Sequence, residues 1–348
     1  MKPKVAIVMG GYSSEFSISV ESGEAVYYAL INSKFLPYKV LITKDRWVVV
    51  VENELFPIDK NDFSCSINGE KIEFDLVFNA IHGSPGEDGL FPAYLNLLGI
   101  KQTSCNFFES ALTFNKSKTN VVISQMGVLC PQGIYLNNSD SVDPNKIVET
   151  LGLPLFVKPS RAGSSFGVTK VTAKNQIGNA VAEANKEDSE IVIESAVVGV
   201  EVGCGLARLN GKVEVLAITE IVSKNDFFDY QAKYEGASDE ITPARISDEL
   251  TKEINEISTK VYDKLSLKGV VRIDYIIDES SQQPVFIEVN TVPGLAGASI
   301  VPQQITYKGY SLQEFFTLLL DISFISLVSS SEILAGVISS EAPSYLAW

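Results

Sequence analysis

An α/β protein of two or three domains, opening on a doubly wound layer and continuing into two α+β units, is the fold class this sequence predicts. Three observations carry that expectation. The chain has 348 residues, a length that sets a prior of two or three domains. Its N-terminal stretch runs β-branched strand, glycine turn, helix, strand, which is how a doubly wound layer begins. Beyond Ser104, strand-like runs follow one another with few helical stretches between them.

Each element has a local reason. Lys4–Met9 is a β-branched apolar run ending in Gly10–Gly11, hence a buried strand that stops at a turn. Ser17–Ile31 reads as helix and Tyr38–Leu41 as the next strand. A hairpin is expected at Trp47–Phe56, and a buried strand at Asp75–Ala80 that runs into His82–Gly89. Doubly wound layers bind ligands beyond the carboxyl ends of their parallel strands, so the loops Gly10–Glu15 and His82–Gly89 should face one crevice. A boundary near Ser104 gives a first domain over 1–104. Helical patterns cover Phe107–Phe114 and Lys116–Met126. Strands follow at Gln132–Leu136, Leu155–Pro159 and Gly167–Val171. A helix between Lys174 and Asn185 and a strand at Glu190–Glu194 complete a unit over 105–194. The last unit, 195–330, has strands at Val200–Ala207 and Val213–Ile218, a polar aromatic loop over 223–236 and a helix at Asp248–Leu265. It ends in a hairpin, Val270–Asn290, whose strands flank the turn Glu279–Pro284. The serine-rich tail 331–348 shows no readable pattern.

The bulk numbers exclude several classes. A formal net charge of −15 argues against nucleic acid as a partner, because phosphate backbones need a basic face. Cys65, Cys105, Cys130 and Cys204 contain no CxxC pair, so neither a zinc site nor a disulfide framework is suggested. Residues 1–9 lack a signal-peptide profile. The most apolar late segment, Phe315–Val328, contains Asp321 and is too short to span a bilayer, so it reads as a buried helix. A reduced, cytoplasmic protein that avoids membranes is the expectation.

The chemistry concentrates on the hairpin. Alternation places Arg272 and Asp274 on one face of its first strand, and Glu288 and Asn290 on one face of its second. Such a polar run is costly to bury unless something pairs with it. Asp274, Glu288 and Asn290 offer oxygen donors that suit a hard divalent cation such as magnesium, and such cations sit against phosphate oxygens. The hairpin therefore reads as the metal platform of an ATP site. Lys158–Val168 joins a strand-end lysine to a glycine- and hydroxyl-rich turn whose N–H groups suit phosphate oxygens. It lacks the Gly-Lys-Ser/Thr ending of a P-loop, and alone it reads equally well as a flexible hairpin turn. Glu194–Glu201 on its own reads as a solvated connector between strands. Phe227–Tyr234 reads either as a partly buried surface loop or as a lid that excludes water. His82, the single histidine, has no metal partner by spacing, and Glu15 reads first as a carboxylate at a helix N-terminus. Nothing around Ser164 or the cysteines has the setting of a catalytic nucleophile. The G-x-G-x-x-G of a dehydrogenase is absent after Gly10–Gly11.

Six motifs in order change the weight of these separate readings. They are Gly10-Gly-x-Ser-x-Glu15, His82-Gly-x-x-Gly-Glu-Asp-Gly89, Lys158-Pro-x-x-x-Gly-Ser-Ser165, Asp229-Tyr-x-Ala-Lys-Tyr234, Arg272-x-Asp274 and Glu288-x-Asn290-Thr-x-Pro-Gly294. From Lys4 to about Leu320 the chain resembles the D-alanine–D-alanine ligases of the ATP-grasp superfamily. The resemblance implies a three-domain ATP-grasp fold: an N-terminal doubly wound α/β domain, then two α+β domains that clamp ATP. It implies Lys116 and Lys158 on the phosphates, with Ser165 and Lys233 as further ATP contacts. Glu194, Ser195 and Val197 would read adenine and Glu201 the ribose. Asp274, Glu288 and Asn290 would hold two Mg2+ ions, with Mn2+ as a substitute and K+ as an activator. Glu15 would pair with the ammonium of the first D-alanine, with His82 nearby. Ser299 and the backbone of Ile300 would bind the carboxylate of the second, and Arg272 with the Gly294 N–H would serve the oxyanion. Ser164 and Tyr234 would link with Glu15 to fasten a lid over the site. A homodimer making D-alanyl-D-alanine for peptidoglycan is the corresponding expectation.

The chain departs from the usual pattern of these relatives at Ser17, Ala162, Val292, Ala298 and Gln303. None of these removes a metal ligand or a phosphate lysine. Ala298 and Gln303 lie beside the second-substrate segment, which keeps D-lactate or D-serine open as the second substrate. A non-catalytic nucleotide-binding protein is the alternative from another class.

Overall fold

The computed structural model describes residues 2–137, 140–163, 166–223 and 238–324. Eight strands form the first sheet: β1 (Lys4–Gly10), β2 (Leu36–Ile42), β3 (Trp47–Val51), β4 (Glu54–Asp59), β5 (Ser64–Ile67), β6 (Glu70–Ile72), β7 (Leu76–Asn79) and β8 (Lys101–Gln102), in the spatial order 6-5-4-3-2-1-7-8. β1 pairs in parallel with β2 and β7, and β7 with β8. The crossovers those parallel pairs require carry helices α1 (Phe16–Leu30) and α2 (Leu90–Leu97). Alternate side chains of β1 enter two cores. Val5, Ile7 and Met9 pack with Val26 and Leu30 of α1, whereas Ala6 and Val8 pack with Phe63, Phe91 and Leu95. A strand covered on both faces needs the unbroken apolar run that the sequence shows. The hairpin expected at Trp47–Phe56 is β3–β4, turned by Glu52 and Asn53, both at positive φ (47° and 79°).

The second sheet comprises β9 (Gly133–Asn137), β10 (Leu155–Pro159), β11 (Thr169–Val171) and β12 (Glu190–Ser195), all antiparallel, in the order 11-10-12-9. It is entered through helices α3 (Phe107–Phe114) and α4 (Lys116–Gln125). Helices α5 (Pro144–Leu151) and α6 (Ile177–Ala184) cover one face, packing on Leu155, Val157, Ile191 and Ile193. The period-2 rule then turns Phe156, Lys158 and Glu194 to the opposite face.

The third sheet, β13 (Gly199–Leu209), β14 (Lys212–Ser223), β15 (Ser238–Ile241), β16 (Val270–Asp278) and β17 (Pro284–Asn290), has the order 15-14-13-16-17 and is antiparallel throughout. Helix α7 (Asp248–Lys264) covers one face through Ile254, Val261 and Tyr262, packed on Val202, Cys204, Ile273 and Tyr275. Ser247 caps it by accepting the Leu250 N–H at 3.2 Å, and Asp248 and Glu249 in its first turn and Lys264 in its last complement its dipole. The other face carries Asp274 and Ile276. β16 and β17 pair Arg272 with Asn290 and Asp274 with Glu288, then shift register so that Tyr275 faces Phe286. Ile287 is the extra residue of that β-bulge.

After α8 (Ile300–Tyr307), a helix over 312–324 returns to the first core, where the rings of Phe78 and Phe316 meet edge-on at 5.4 Å. Its buried residues Phe315, Phe316, Leu319 and Leu320 each contribute on the order of 2 kcal/mol of burial, so the end of the described chain is tied to its beginning. Helices α2, α5 and α8 are absent from the sequence expectation. Each has eight residues, too few for a helical period to stand out, although Asp143 and Pro144 supply a cap and a first-turn proline for α5. The lid stretch 224–236 and the tail 331–348 lie outside the described residues. Among the described residues no helix is long and apolar enough to cross a membrane.

Candidate active site

The exposed-polar faces of the second and third sheets look at each other across a cavity of about 500 Å³. β10 and β12 send in Phe156, Lys158, Glu194 and Ser195; the connector to β13 adds Val197 and β13 itself Glu201; β16 and β17 add Asp274, Ile276, Ile287 and Glu288. Lys116, the first residue of α4, also lines it. The structure thus gathers Lys116, Lys158, Glu194, Ser195, Val197 and Glu201 around one space, although they are scattered over three segments of sequence.

Lys116 and Lys158 in the cavity wall each rest on an acid. Lys158 Nζ donates to Glu194 Oε2 at 2.8 Å, and Asn120 Nδ2 donates to the other oxygen at 2.7 Å. Burial pulls the Lys158 ammonium down from its ordinary range, but the charge and hydrogen bond of Glu194 outweigh it, and the net shift is upward. Lys116 Nζ lies 3.1 Å from Glu288 Oε2 and donates to the Ala162 carbonyl at 2.7 Å. Arg272 forks onto Asp274 with Nε–Oδ1 at 2.7 Å and Nη2–Oδ2 at 2.8 Å. Asn290 Nδ2 donates to Asp274 Oδ2 at 2.9 Å. Among the described residues no three acidic, histidine or cysteine side chains converge as a metal cluster. Asp274 and Glu288 nevertheless face each other across two strands, with the Asn290 amide beside them. Two carboxylates and an amide oxygen fit magnesium, which takes few protein ligands and completes its shell with phosphate oxygens.

A second cluster sits at the strand ends of the first sheet. Tyr12 N–H donates to the Ser84 carbonyl at 2.7 Å and Ser13 Oγ to the His82 carbonyl at 3.1 Å, so the two expected loops do share one crevice. Ser19 on α1 ties both strands together, accepting the Gly10 N–H and donating to the Ala80 carbonyl, each at 2.8 Å. Glu15, His82 and Glu87 are all buried here. His82 Nε2 is 2.9 Å from Ser22 Oγ, which also accepts the Leu295 N–H at 3.1 Å. Burial lowers the His82 pKa to about 4, so the ring is neutral near pH 7. Glu87 accepts the Gly83 N–H at 2.8 Å and the Val292 N–H at 3.1 Å. Burial first, and then the charge of Glu15, raise its pKa to about 8. Gly163, on the rim of the nucleotide-sized cavity, abuts this cluster: a Cβ there would run into the Glu15 carboxylate.

The third part follows Asn290. Gly294 lies against Ser299, with a Cβ at Gly294 falling 2.9 Å from Ser299 Oγ. Ser299 is the N-cap of α8 yet makes no side-chain capping bond, so its hydroxyl and the first N–H groups of α8, beginning with Ile300, present an anion-binding end. Ser164, Ser165, Lys233 and Tyr234 lie outside the described residues.

Sequence reasoning passed over Ser22, Glu87 and Asn120. Asn120 follows Lys116 by one helical turn, and Ser22 follows Ser19 by three residues on the buried face of α1; both spacings were legible. Glu87 lay inside a quoted motif without a task.

A cleft between two antiparallel sheets, with lysines on one wall and facing carboxylates on the other, is the arrangement of an ATP-dependent ligase of the ATP-grasp class. A family model described as D-ala D-ala ligase N-terminus matches residues 4–105, and one described as D-ala D-ala ligase C-terminus matches 118–321. The chain belongs to the D-alanine–D-alanine ligase family. It is 50% identical to D-alanine--D-alanine ligase of Flavobacterium johnsoniae over 92% of this chain and 98% of that one. With the enzyme of Christiangramia forsetii the identity is 49%, covering 91% and 97%. Among solved structures, the VanG D-Ala:D-Ser ligase from Enterococcus faecalis is similar at a TM-score of 0.83 and 30% identity, over 93% of this chain and all of that one. D-alanyl-alanine synthetase A from Vibrio cholerae reaches a TM-score of 0.85 at 26% identity, over 93% and 99%.

Proposed function

We propose that the chain joins two D-alanine molecules into D-alanyl-D-alanine, with ATP converted to ADP and phosphate, for peptidoglycan precursor synthesis. One observation carries this reading: Gly163 borders both the nucleotide-sized cavity and the Glu15 carboxylate. An amino acid whose ammonium pairs with Glu15 therefore has its own carboxylate beside the phosphate end of that cavity.

The order of events follows from charge. The first D-alanine's carboxylate attacks the γ-phosphate, forming an acyl phosphate and releasing ADP. Lys116 and Lys158 exchange their carboxylate partners for phosphate oxygens as the charge moves. Asp274, Glu288 and Asn290 would hold two Mg2+ ions, replaceable by Mn2+ and supported by K+; when bound, the divalent ions neutralise charge on the transferring phosphate. The second D-alanine, its carboxylate on Ser299 and the Ile300 N–H, attacks the activated carbonyl through its amine, and phosphate leaves. Arg272 and the Gly294 N–H stabilise the oxyanion, a contribution of about 3–4 kcal/mol per donor in such sites. The neutral His82 and its partner Ser22 wall the first amino acid without adding charge.

The domains divide at 104 and 194, with the last extending to 330. The protein acts in the cytoplasm as a homodimer, for which the exposed apolar side chains Leu90, Leu97, Phe107 and Phe108 on α2 and α3 offer a face. ADP release with D-alanine alone, D-alanine plus D-lactate, and L-alanine tests the reading. Turnover with D-alanine alone is the expected result. ATP binding without D-alanine-dependent ADP release, or turnover only when D-lactate is added, overturns it.

A further inference from the structure

A carboxylate beside the second-substrate segment has no task in the mechanism above. Glu240, on β15, accepts a hydrogen bond from Gln303 Nε2 at 2.6 Å, and the same nitrogen donates to the Ala298 carbonyl at 3.2 Å. Gln303 lies on α8 three and four residues after Ile300 and Ser299, so all three share one helical face. Helical side chains lean toward the N-terminus, which brings the Gln303 amide back to Ala298 and sets the Glu240 carboxylate over the open end of α8. Glu240 is partly buried, and among the described residues its hydrogen-bond partner is a neutral amide. Burial raises its pKa, while Gln303 and the charge of Arg272 pull the other way. Arg272 is itself forked onto Asp274, which spends much of its charge there.

A half-buried acid with a neutral partner favours a cation that comes to it. An amino acid docked by its carboxylate on Ser299 and Ile300 carries such a cation one carbon away. A 2-hydroxy acid docked the same way carries a neutral hydroxyl. We propose that Glu240, positioned by Gln303, is a specificity-determining residue that selects a second substrate bearing an α-ammonium over one bearing an α-hydroxyl. The inference rests on the ligase reading and names what sets its second-substrate class. It also gives the departure at Gln303 a function: an amide can hold Glu240 in place without cancelling its charge, which a lysine or arginine there would do.

The test compares the native enzyme with Glu240→Gln, Glu240→Asp and Gln303→Leu, supplying D-alanine and D-lactate together and measuring the dipeptide-to-depsipeptide ratio. ADP release by the native enzyme with D-alanine is checked first; its absence sinks the ligase reading itself, independently of Glu240. For Glu240→Gln the expected result is a rise of about tenfold in KM for the second D-alanine and a similar shift of products toward the depsipeptide. Its kcat should stay within about twofold and its KM for ATP should not move. Glu240→Asp, which keeps the charge, should hold the native preference, and Gln303→Leu should shift it in the same direction as Glu240→Gln but less. An unchanged product ratio in a folded Glu240→Gln enzyme overturns the proposal, as does a change confined to the KM for ATP.

Discussion

The carboxylate of Glu87 accepts the backbone N–H of Val292 at 3.1 Å, a hydrogen bond between residues 205 positions apart. Its other oxygen accepts the Gly83 N–H at 2.8 Å. One buried acid therefore fastens the loop that carries His82 to the loop that leads to Gly294 and Ser299.

That acid should show itself in the pH dependence of stability. Its pKa is about 8 in the fold against an ordinary 4.5. A raised folded pKa means the stability it contributes is fully present below about 4.5 and lost as pH rises through about 8. Glu87→Gln cannot ionise, so its melting temperature relative to the native protein should gain several degrees between those limits. Melting curves across that range check this; a constant difference would remove the assignment.

Glu288→Gln should lower D-alanine-dependent ADP release by more than about a hundredfold. The fold should persist, because Glu288 is partly exposed and its amide replacement still accepts from Lys116. Turnover assays beside circular dichroism decide it, and unaltered activity would refute the metal role.

Lys158→Met should destabilise the protein by about 3–5 kcal/mol, because it strands Glu194, whose side chain is 6% exposed. Adding Glu194→Gln to that variant should recover much of the loss, since the buried charge is then gone. Chemical unfolding of both variants measures this. ATP affinity should remain weak in either case.

Gly163→Ala should raise the KM for the first D-alanine at least about tenfold, because the new methyl displaces the Glu15 carboxylate. Stability should change little, as Gly163 is not at positive φ. Steady-state kinetics at fixed ATP check the direction.

Much of this site was legible in residue order, and the reasons differ by residue. Asp274, Glu288 and Asn290 stood out because polar side chains that alternate within an apolar strand demand a partner. Lys158 stood out because a lysine closes an apolar strand before a glycine turn. Glu240 gave no signal: it is one acid among 43 Asp and Glu residues, and only the fold brings Gln303 to it. Ser22 looked like any small residue on a helix face until His82 was placed against it. The strand bonds of β5, β6 and β8 involve two to four residues each, and such short pairings are decided by neighbours rather than by pattern.

The bulge at Ile287 separates two requirements within a single strand. The acids need Glu288 opposite Asp274, while the core needs Phe286 opposite Tyr275, and a regular ladder with one residue fewer would satisfy both. The surplus residue goes instead to the cavity wall, where Ile287 joins Ile276 in an apolar surface. The apolar lining of the cavity can therefore drift with residue 287 while Asp274 and Glu288 keep their register, so that the shape of the cavity wall and the placement of its acids can vary separately along one β-strand.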